Sequence, residues 1–273
     1  MRVLILSLLL LFGCSKGPTH FKGVAHTHPF HIQVGRSLSI KEREEIHQLI
    51  RTTFEEIDHH YNHWNPHSDL SKGILSMEVQ AILSEAQSYY ELTEGRYDPT
   101  LGAPVKYFKQ TGNLPEKVLP QTYDLDGMLK GFTIDLLISR LREKGYDSLY
   151  VEWGGDLRVL GHHPKGRPWL VLLDNRPFPL ENASLATSGC EEQLWKIGNA
   201  LYTHIINPHT LKMLEVKKGE VHQVSVMAPT CALADALATA CMTCGSLENA
   251  SAFAEKIKKE YPEVEFWITS YEL

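Results

Sequence analysis

The chain has 273 residues and a formal net charge of −6, from 27 lysines and arginines against 33 aspartates and glutamates. With 43% hydrophobic and 22% charged residues, it has the composition of a globular protein large enough to bury a core, not of a disordered or fibrous one. The mildly acidic balance argues against general nucleic-acid binding, which needs a basic face, but is compatible with one local anion site.

A short apolar segment at the start of the sequence predicts export. Its basic start precedes the apolar run 3–12, which is too short to span a bilayer as a helix. The sequence Leu11-Phe12-Gly13-Cys14 resembles the bacterial lipobox, in which the cysteine is lipidated and becomes the new N-terminus. We therefore expect a lipoprotein signal peptide at 1–13, a tether at 14–20 and a folded domain at 21–273. A segment buried in the fold, or an uncleaved anchor, is the alternative.

The spacing of apolar residues predicts one α+β unit without internal repeats or linkers. Alternating patterns indicate strands, and apolar stripes at helical spacing indicate helices. In chain order, we predict a strand at 30–34, helices at 40–60, 78–93 and 127–144, strands at 148–153, 169–173 and 222–228, helices at 232–243 and 248–259, and a strand at 263–269.

Two oxygen-bearing side chains on the predicted helix 232–243 suggest a cation site. Asp235 and Thr239 are four residues apart, so they share one face of the helix. A carboxylate and a hydroxyl are hard oxygen ligands of the kind that Mg²⁺ takes together with phosphate oxygens and water. The alternative is an aspartate favoured by the helix dipole and a threonine bonded back to a carbonyl.

The segment 124–131 resembles a phosphate-binding loop in its chemistry. Asp124 and Asp126 precede Gly127, and Lys130 lies in the first turn of the following helix. Helix N-terminal amides together with a lysine form a phosphate site, although the spacing of a Walker loop is missing. The alternative is an acidic helix cap followed by a surface lysine.

Two further segments offer weaker signals. Gly154 and Gly155 follow a predicted strand, where paired glycines let the backbone approach a ligand or simply form a turn. His204 lies between a hydroxyl-rich stretch and an apolar pair. A lone histidine in such a place is more often structural, but His204 is also the best candidate for a general base in this chain.

Cysteines and histidines offer alternative ligand groups. Cys241 and Cys244 have CxxC spacing, but they lie in the apolar run 236–244, which favours small buried core residues over redox or metal chemistry. A transition-metal site is conceivable among the histidines, whereas the Asn, Pro and Ser residues at 62–68 favour a solvated turn. The histidines concerned are His26, His28, His31, His59, His60, His63 and His67.

Taken together, these segments resemble the ApbE family, the FAD:protein FMN transferases. The resemblance runs from about residue 23 to 269, and its most specific parts are the hexapeptide ADALAT at 234–239 and the segment HI-x-x-P at 204–208. It also includes 95–100, 124–131, 154–156 and 187–189. It implies a single T-fold-like α+β domain of mostly antiparallel sheet with flanking helices, and an FAD cleft between two lobes.

The resemblance also assigns roles to individual residues. Asp235, Thr239 and the backbone carbonyl of Gly127 would hold Mg²⁺ against the FAD pyrophosphate, and His204 stands at the position of the family's proposed base. The nucleotide and flavin contacts would come from Trp64, Arg96, Tyr97, Asp98, Asp124, Lys130, Gly154, Gly155, Asp156 and Thr187.

The implied reaction transfers FMN from FAD to a threonine hydroxyl of an acceptor protein and releases AMP. The natural acceptors are exported subunits of membrane electron-transfer or sodium-pumping complexes. A chain lipidated at Cys14 would then work on the bacterial inner membrane, facing the periplasm. A metal-dependent FAD pyrophosphatase and a non-catalytic flavin-binding lipoprotein are the alternatives.

The sequence departs from the family pattern at four places. Ala25-His26-Thr27 replaces Met-Gly-Thr, and Asp126 replaces a glycine. Glu191 replaces a tyrosine, and Leu211 replaces the glycine of an Asp-Pro-x-Thr-Gly element. These changes concern flavin and acceptor contacts more than the cation ligands, so FAD binding remains expected.

Overall fold

The computed structural model describes residues 17–113, 119, 121–189 and 194–272. The predicted signal peptide, Cys14, Glu191 and the side chain of His204 lie outside this description. The helices are α1 (Ile40–His60), α2 (Asp69–Lys72), α3 (Met77–Leu92), α4 (Gly102–Thr111), α5 (Asp126–Glu143), α6 (Cys231–Met242) and α7 (Leu247–Glu260). The strands are β1 (Thr19–Ala25), β2 (His28–Val34), β3 (Leu149–Trp153), β4 (Asp156–Leu160), β5 (Trp169–Leu173), β6 (Arg176–Leu180), β7 (Ser184–Gly189), β8 (Leu194–Ile197), β9 (Ala200–Asn207), β10 (Lys212–Glu215), β11 (Val221–Ala228) and β12 (Glu265–Ser270).

A seven-stranded antiparallel sheet forms the centre of the fold, in the order β1-β2-β3-β4-β7-β11-β12. Its strands alternate between buried and more exposed residues, as β3 does with Leu149, Val151 and Trp153 buried. A three-stranded sheet, β10-β9-β8, and the pair β5-β6 lie apart from it. The predicted α+β class, with a mostly antiparallel sheet and flanking helices, is confirmed.

Helix α5 holds the two main core clusters together. Met128 and Leu129 in its first turns pack in one cluster with Leu237 of α6. Ile134 and Leu137, farther along, pack in the second cluster with residues of α1, β2 and β3. Since both ends of α5 are fixed in this way, its N-terminus has a defined position against α6.

The contact between α5 and α6 is unusually close because both helices carry small residues there. A Cβ atom at Gly131 would lie 2.2 Å from the carbonyl oxygen of Cys231, so only glycine fits. Asp135 of α5 accepts hydrogen bonds from the backbone N–H groups of Cys231 and Ala232, at 3.0 and 2.9 Å. Its carboxylate therefore caps the start of α6.

The predicted elements are confirmed, with ends that shift by one or two residues. Several short elements were not predicted: β1, α2, α4, β4 and the strands from β6 to β10. Strand β1 begins at Thr19, so it includes the last two residues of the predicted tether. No helix in the described part of the chain is both long and apolar enough to cross a membrane.

Candidate active site

The predicted cation ligands come together where the first turn of α5 meets the middle of α6. The hydroxyl of Thr239 donates to the backbone carbonyl of Gly127 at 3.5 Å. Asp235, one turn earlier on α6, is only 3% exposed and accepts a hydrogen bond from the N–H of Gly131 at 3.2 Å. A Cβ at Gly127 would lie 3.0 Å from Cγ2 of Thr239, so glycine keeps this cradle open. A carboxylate, a hydroxyl and a carbonyl oxygen form a donor set that fits Mg²⁺.

Lys130 is a half-buried cation paired with a buried carboxylate, not a freely exposed residue at the start of a helix. Its Nζ lies 2.6 Å from Oδ2 of Asp156, which is 1% exposed. The other oxygen of Asp156 accepts from the N–H of Thr187 at 3.0 Å. Burial by itself lowers the pKa of Lys130, but the negative charges of Asp156 and Asp235 raise it by more than burial lowers it. The net shift of the pKa is upward, so the ammonium stays charged.

Asp235 lies in a strongly acidic environment despite the nearby lysine. Burial, and then the charge of Asp156, raise the pKa of Asp235 to about 7, against the opposing effects of Lys130 and the Gly131 N–H. Two buried carboxylates share one ammonium here, so additional positive charge is favourable. The electrostatics of the site therefore suit a divalent cation.

Gly154 and Gly155 form the two-residue turn between β3 and β4. Trp153 pairs with Asp156 across this turn, and the glycines have φ values of 59° and 92°. Such left-handed conformations favour glycine in tight hairpins. The turn alone accounts for both glycines and places Asp156 opposite Lys130. Their contact with a flavin stays a prediction.

Two further predicted contact residues, Trp64 and Tyr97, lie near the N-terminus of α5. Trp64 is 40% exposed, donates from Nε1 to Asp126 at 2.9 Å, and lies under Nζ of Lys109 at 4.7 Å from the ring centre. Tyr97 is buried, and its hydroxyl has no hydrogen-bond partner within the described residues. Burial, followed by the charges of Asp124, Asp235 and Asp126, raises the pKa of Tyr97. This orphaned hydroxyl is therefore available to a bound ligand or water.

The segments around Arg96 and Asn207 meet at the C-terminal end of α6. Thr243 donates from its hydroxyl to the carbonyl of Arg96 at 3.3 Å, and its own carbonyl accepts from the side chain of Asn207 at 2.8 Å. Asp98 binds the N–H and hydroxyl of Thr100, which stabilises the turn before α4. The backbone of His204 belongs to β9, and its role as a base stays a prediction.

Two hydroxyl residues to which the sequence analysis assigned no role also lie at this site. The hydroxyl of Ser188 is 3.3 Å from that of Thr239, and Ser225 shares a hydrogen bond of 2.9 Å with Thr187. Both belong to neighbouring strands, β7 and β11, whose register brings Ser225 opposite Thr187. The adjacent hydroxyls in Thr187-Ser188-Gly189 were the available signal.

The remaining cysteine and histidine predictions have different outcomes. Cys241 and Cys244 are buried free thiols that face backbone carbonyls of Ala250 and Ala240, in agreement with a role in the core. The histidines do not form one group. Within the described residues, carboxylates join them in two separate clusters that could hold a metal: His59, His60 and Asp69, and His63, Asp124 and Asp126.

Comparisons with known proteins agree with this architecture. The model of the ApbE family matches residues 28–122 and 117–264. The FAD:protein FMN transferase of Chlamydia pneumoniae is 34% identical over 93% of both chains, and that of Vibrio cholerae is 26% identical over 93% of this chain and 90% of the relative. The apo flavinyl transferase ApbE of Pseudomonas stutzeri superposes with a TM-score of 0.80 at 20% identity, covering 94% of this chain and 92% of the other. The flavin transferase ApbE of Vibrio cholerae gives 0.73 at 22% identity, covering 93% of each. The chain belongs to the ApbE family.

Proposed function

We propose that this chain is an FAD:protein FMN transferase, which moves FMN from FAD onto a threonine hydroxyl of an acceptor protein and releases AMP. The proposal rests chiefly on the arrangement of the buried Asp235 with Thr239 and the Gly127 carbonyl, beside the Lys130–Asp156 pair. It is supported by relatives that carry this name and cover nearly the whole chain.

The residues present suit a magnesium-dependent reaction. Asp235, Thr239 and the carbonyl of Gly127 would hold Mg²⁺. When bound, the cation supplies positive charge that neutralises the charge building up on the transferring phosphate. Lys130, fixed by Asp156, supplies a second positive charge next to the N-terminal amides of α5, where a pyrophosphate binds favourably.

The transfer itself is a displacement at phosphorus. The threonine oxygen of the acceptor forms a bond to the phosphorus of the FMN half of FAD, and the bond between that phosphorus and the bridging oxygen breaks. AMP leaves with the bridging oxygen and its electron pair. Because a neutral hydroxyl is a poor nucleophile, a base must take its proton, and we assign this role to His204.

The same site could in principle use water in place of the threonine. The chain would then be an FAD pyrophosphatase, giving free FMN and AMP. A flavin-binding lipoprotein without turnover is the other alternative. The sequence departures at Ala25, Glu191 and Leu211 motivate this alternative, since they concern flavin and acceptor contacts.

The proposed acceptors are exported, threonine-bearing subunits of membrane electron-transfer or sodium-pumping complexes. We further propose that Cys14 carries a lipid that holds the protein on the periplasmic side of the inner membrane. Expression in a bacterial host, followed by membrane fractionation, tests the anchor. Cys14→Ala is expected to release the protein from the membrane fraction, and retention of the variant would contradict lipidation.

The activity is tested by incubating full-length protein with FAD, Mg²⁺ and a purified acceptor subunit from the same cell. We expect flavin fluorescence on the acceptor band in a denaturing gel, with one AMP released for each flavin attached. Replacing the acceptor threonine by alanine should abolish the band. AMP and free FMN without a labelled band would identify a pyrophosphatase, and FAD binding without AMP would identify a non-catalytic binder.

A further inference from the structure

His63 is a buried imidazole without the hydrogen bonds that such a group normally makes. Its side chain is 3% exposed, and neither ring nitrogen has a hydrogen-bond partner in the part of the chain that the structure describes. Buried polar groups in folded proteins are almost always satisfied by protein, water or an ion. The ring nitrogens of His63 therefore require a partner atom, such as that of a bound water or ion.

Two carboxylates face the Nδ1 atom of His63 at nearly equal distances. Oδ1 of Asp124 lies 3.6 Å away and Oδ1 of Asp126 lies 3.5 Å away. These distances exceed the usual range of a hydrogen bond. They agree with the spacing of ligand atoms around a tetrahedral ion, because atoms about 2.1 Å from the metal are roughly 3.4 Å from one another.

Hydrogen bonds already orient both carboxylates. Oδ2 of Asp126 accepts from Nε1 of Trp64 at 2.9 Å, which leaves Oδ1 directed to the imidazole. Oδ1 of Asp124, the oxygen that faces His63, accepts from the backbone N–H of Asp126 at 2.9 Å and keeps a lone pair for an ion. Hydrogen bonds of this kind fix the ligands of metal sites and are part of their design.

The second histidine–carboxylate cluster provides a contrast. Nδ1 of His60 lies 2.6 Å from Oδ2 of Asp69, which is a direct hydrogen bond. That pair is already satisfied and leaves no gap for an ion between its two atoms. Of the two clusters, only the one at His63 combines unsatisfied nitrogens with separated ligands.

We propose that His63, Asp124 and Asp126 form a binding site for a divalent transition metal of the Zn²⁺ class. Imidazole nitrogen selects such metals over Mg²⁺, which prefers oxygen ligands alone. Three protein ligands leave a fourth position open. Asp126 is 44% exposed at its side chain, so solvent can reach the site. The site uses none of the Mg²⁺ ligands proposed above.

Metal binding by the full-length protein, stripped with a chelator, tests the site without FAD or acceptor. Wild-type protein is expected to bind Zn²⁺, and Co²⁺ is expected to give the visible bands of a four-coordinate ion. His63→Ala should weaken Zn²⁺ binding by more than about tenfold, and Trp64→Phe by about ten- to a hundredfold, because it removes the hydrogen bond to Asp126. His60→Ala is the matched control and should leave the affinity unchanged.

Several outcomes would overturn the proposal. They are a wild-type protein that binds no Zn²⁺, an unchanged affinity in a folded His63→Ala variant, and loss of binding in His60→Ala. Loss of Zn²⁺ binding in Asp235→Ala would place the ion at the Mg²⁺ ligands instead. If His63→Ala does not fold, as judged by circular dichroism, His63→Gln takes its place with the same expected loss.

Discussion

At the residue scale, one ammonium group pairs with one buried carboxylate and acts through its charge on a second. Lys130 contacts Asp156 at 2.6 Å, and its charge also acts on Asp235, the proposed ligand of Mg²⁺. Removing one member of such a buried group leaves the others without compensation. Lys130 is therefore important for the stability of the fold as well as for the charge of the site.

Lys130→Met tests this arrangement. We expect the free energy of unfolding to fall by about 3 kcal/mol, since the substitution keeps most of the apolar length of the side chain but removes its charge. Urea unfolding measures the loss. Lys41→Met, at a side chain that is 87% exposed, should change stability little. Adding Asp156→Asn to Lys130→Met should restore part of the loss, and equal stabilities of wild type and Lys130→Met would contradict the buried pair.

A second prediction at the residue scale concerns His204, whose role as a base depends on the proposed function. His204→Ala should lower the rate of FMN transfer by about 10²–10⁴-fold, the usual contribution of a general base, while FAD affinity changes much less. Transfer rates and equilibrium binding of FAD measure the two effects separately. His162→Ala, which removes an exposed histidine paired with Glu181, is the control. Equal losses in rate and affinity would argue against a base.

At the scale of elements, the α5–α6 contact positions the site. Gly131 lets the two backbones approach, Asp135 caps α6, and Gly127 leaves room beside Thr239. The helices thus bring together ligands that are 112 residues apart in the chain. This contact makes the geometry of the cation site sensitive to small changes in either helix.

Gly131→Ala and Gly127→Ala separate packing from ligand geometry. At Gly131 the new Cβ meets backbone atoms of Cys231, so we expect a loss of about 1–3 kcal/mol in unfolding free energy. At Gly127 it meets the side chain of Thr239, so Mg²⁺ affinity should fall with a smaller loss of stability. Thermal unfolding and Mg²⁺ titration measure both quantities. A Gly131→Ala protein as stable as the wild type would contradict the close contact.

The sequence predicted the long elements better than the short ones. Helix α1 begins with a full capping box at Ser39 and Glu42 and carries a regular apolar stripe, so its bounds could be read directly. Helix α4 has no side-chain cap at Leu101, and β8 is a short strand with an irregular burial pattern. Such elements form because tertiary contacts hold them, and local patterns give little sign of them.

The sequence likewise predicted only part of the candidate site. The spacing of Asp235 and Thr239 on one helix predicted their shared face, but only the family resemblance indicated Gly127. The Lys130–Asp156 pair depends on the turn between β3 and β4, and the approach of His63 to Asp124 depends on how a loop packs against α5. Neither contact follows from local sequence, because each joins segments that are distant in the chain.

At the scale of the whole molecule, buried tyrosines make the fold sensitive to alkali. Burial, and then the charges of Glu78 and Glu56, raise the pKa of Tyr61 to about 12 from an ordinary value of 10.0. Burial likewise raises the pKa of Tyr89, Tyr97 and Tyr150. The folded chain therefore retains protons that the unfolded chain releases near pH 10.

Stability is thus expected to fall as the pH rises above about 10, because the unfolded state binds fewer protons there. Thermal unfolding measured from pH 8 to pH 11 should show a midpoint temperature that falls only in the upper part of this range. The phenolate absorbance of the buried tyrosines should appear together with unfolding. Phenolate absorbance for all tyrosines near pH 10 in a chain that stays folded would contradict the burial of these side chains.

The rate of FMN transfer by Asp235→Ala at saturating FAD and acceptor tests the proposed function most directly. Asp147→Ala, which removes an exposed aspartate outside the site, is the matched control. Loss of the cation ligand should lower the rate by about 10²–10³-fold and abolish its dependence on Mg²⁺, while the control keeps the wild-type rate. Mg²⁺-dependent transfer at the wild-type rate in Asp235→Ala would contradict the assignment of the site.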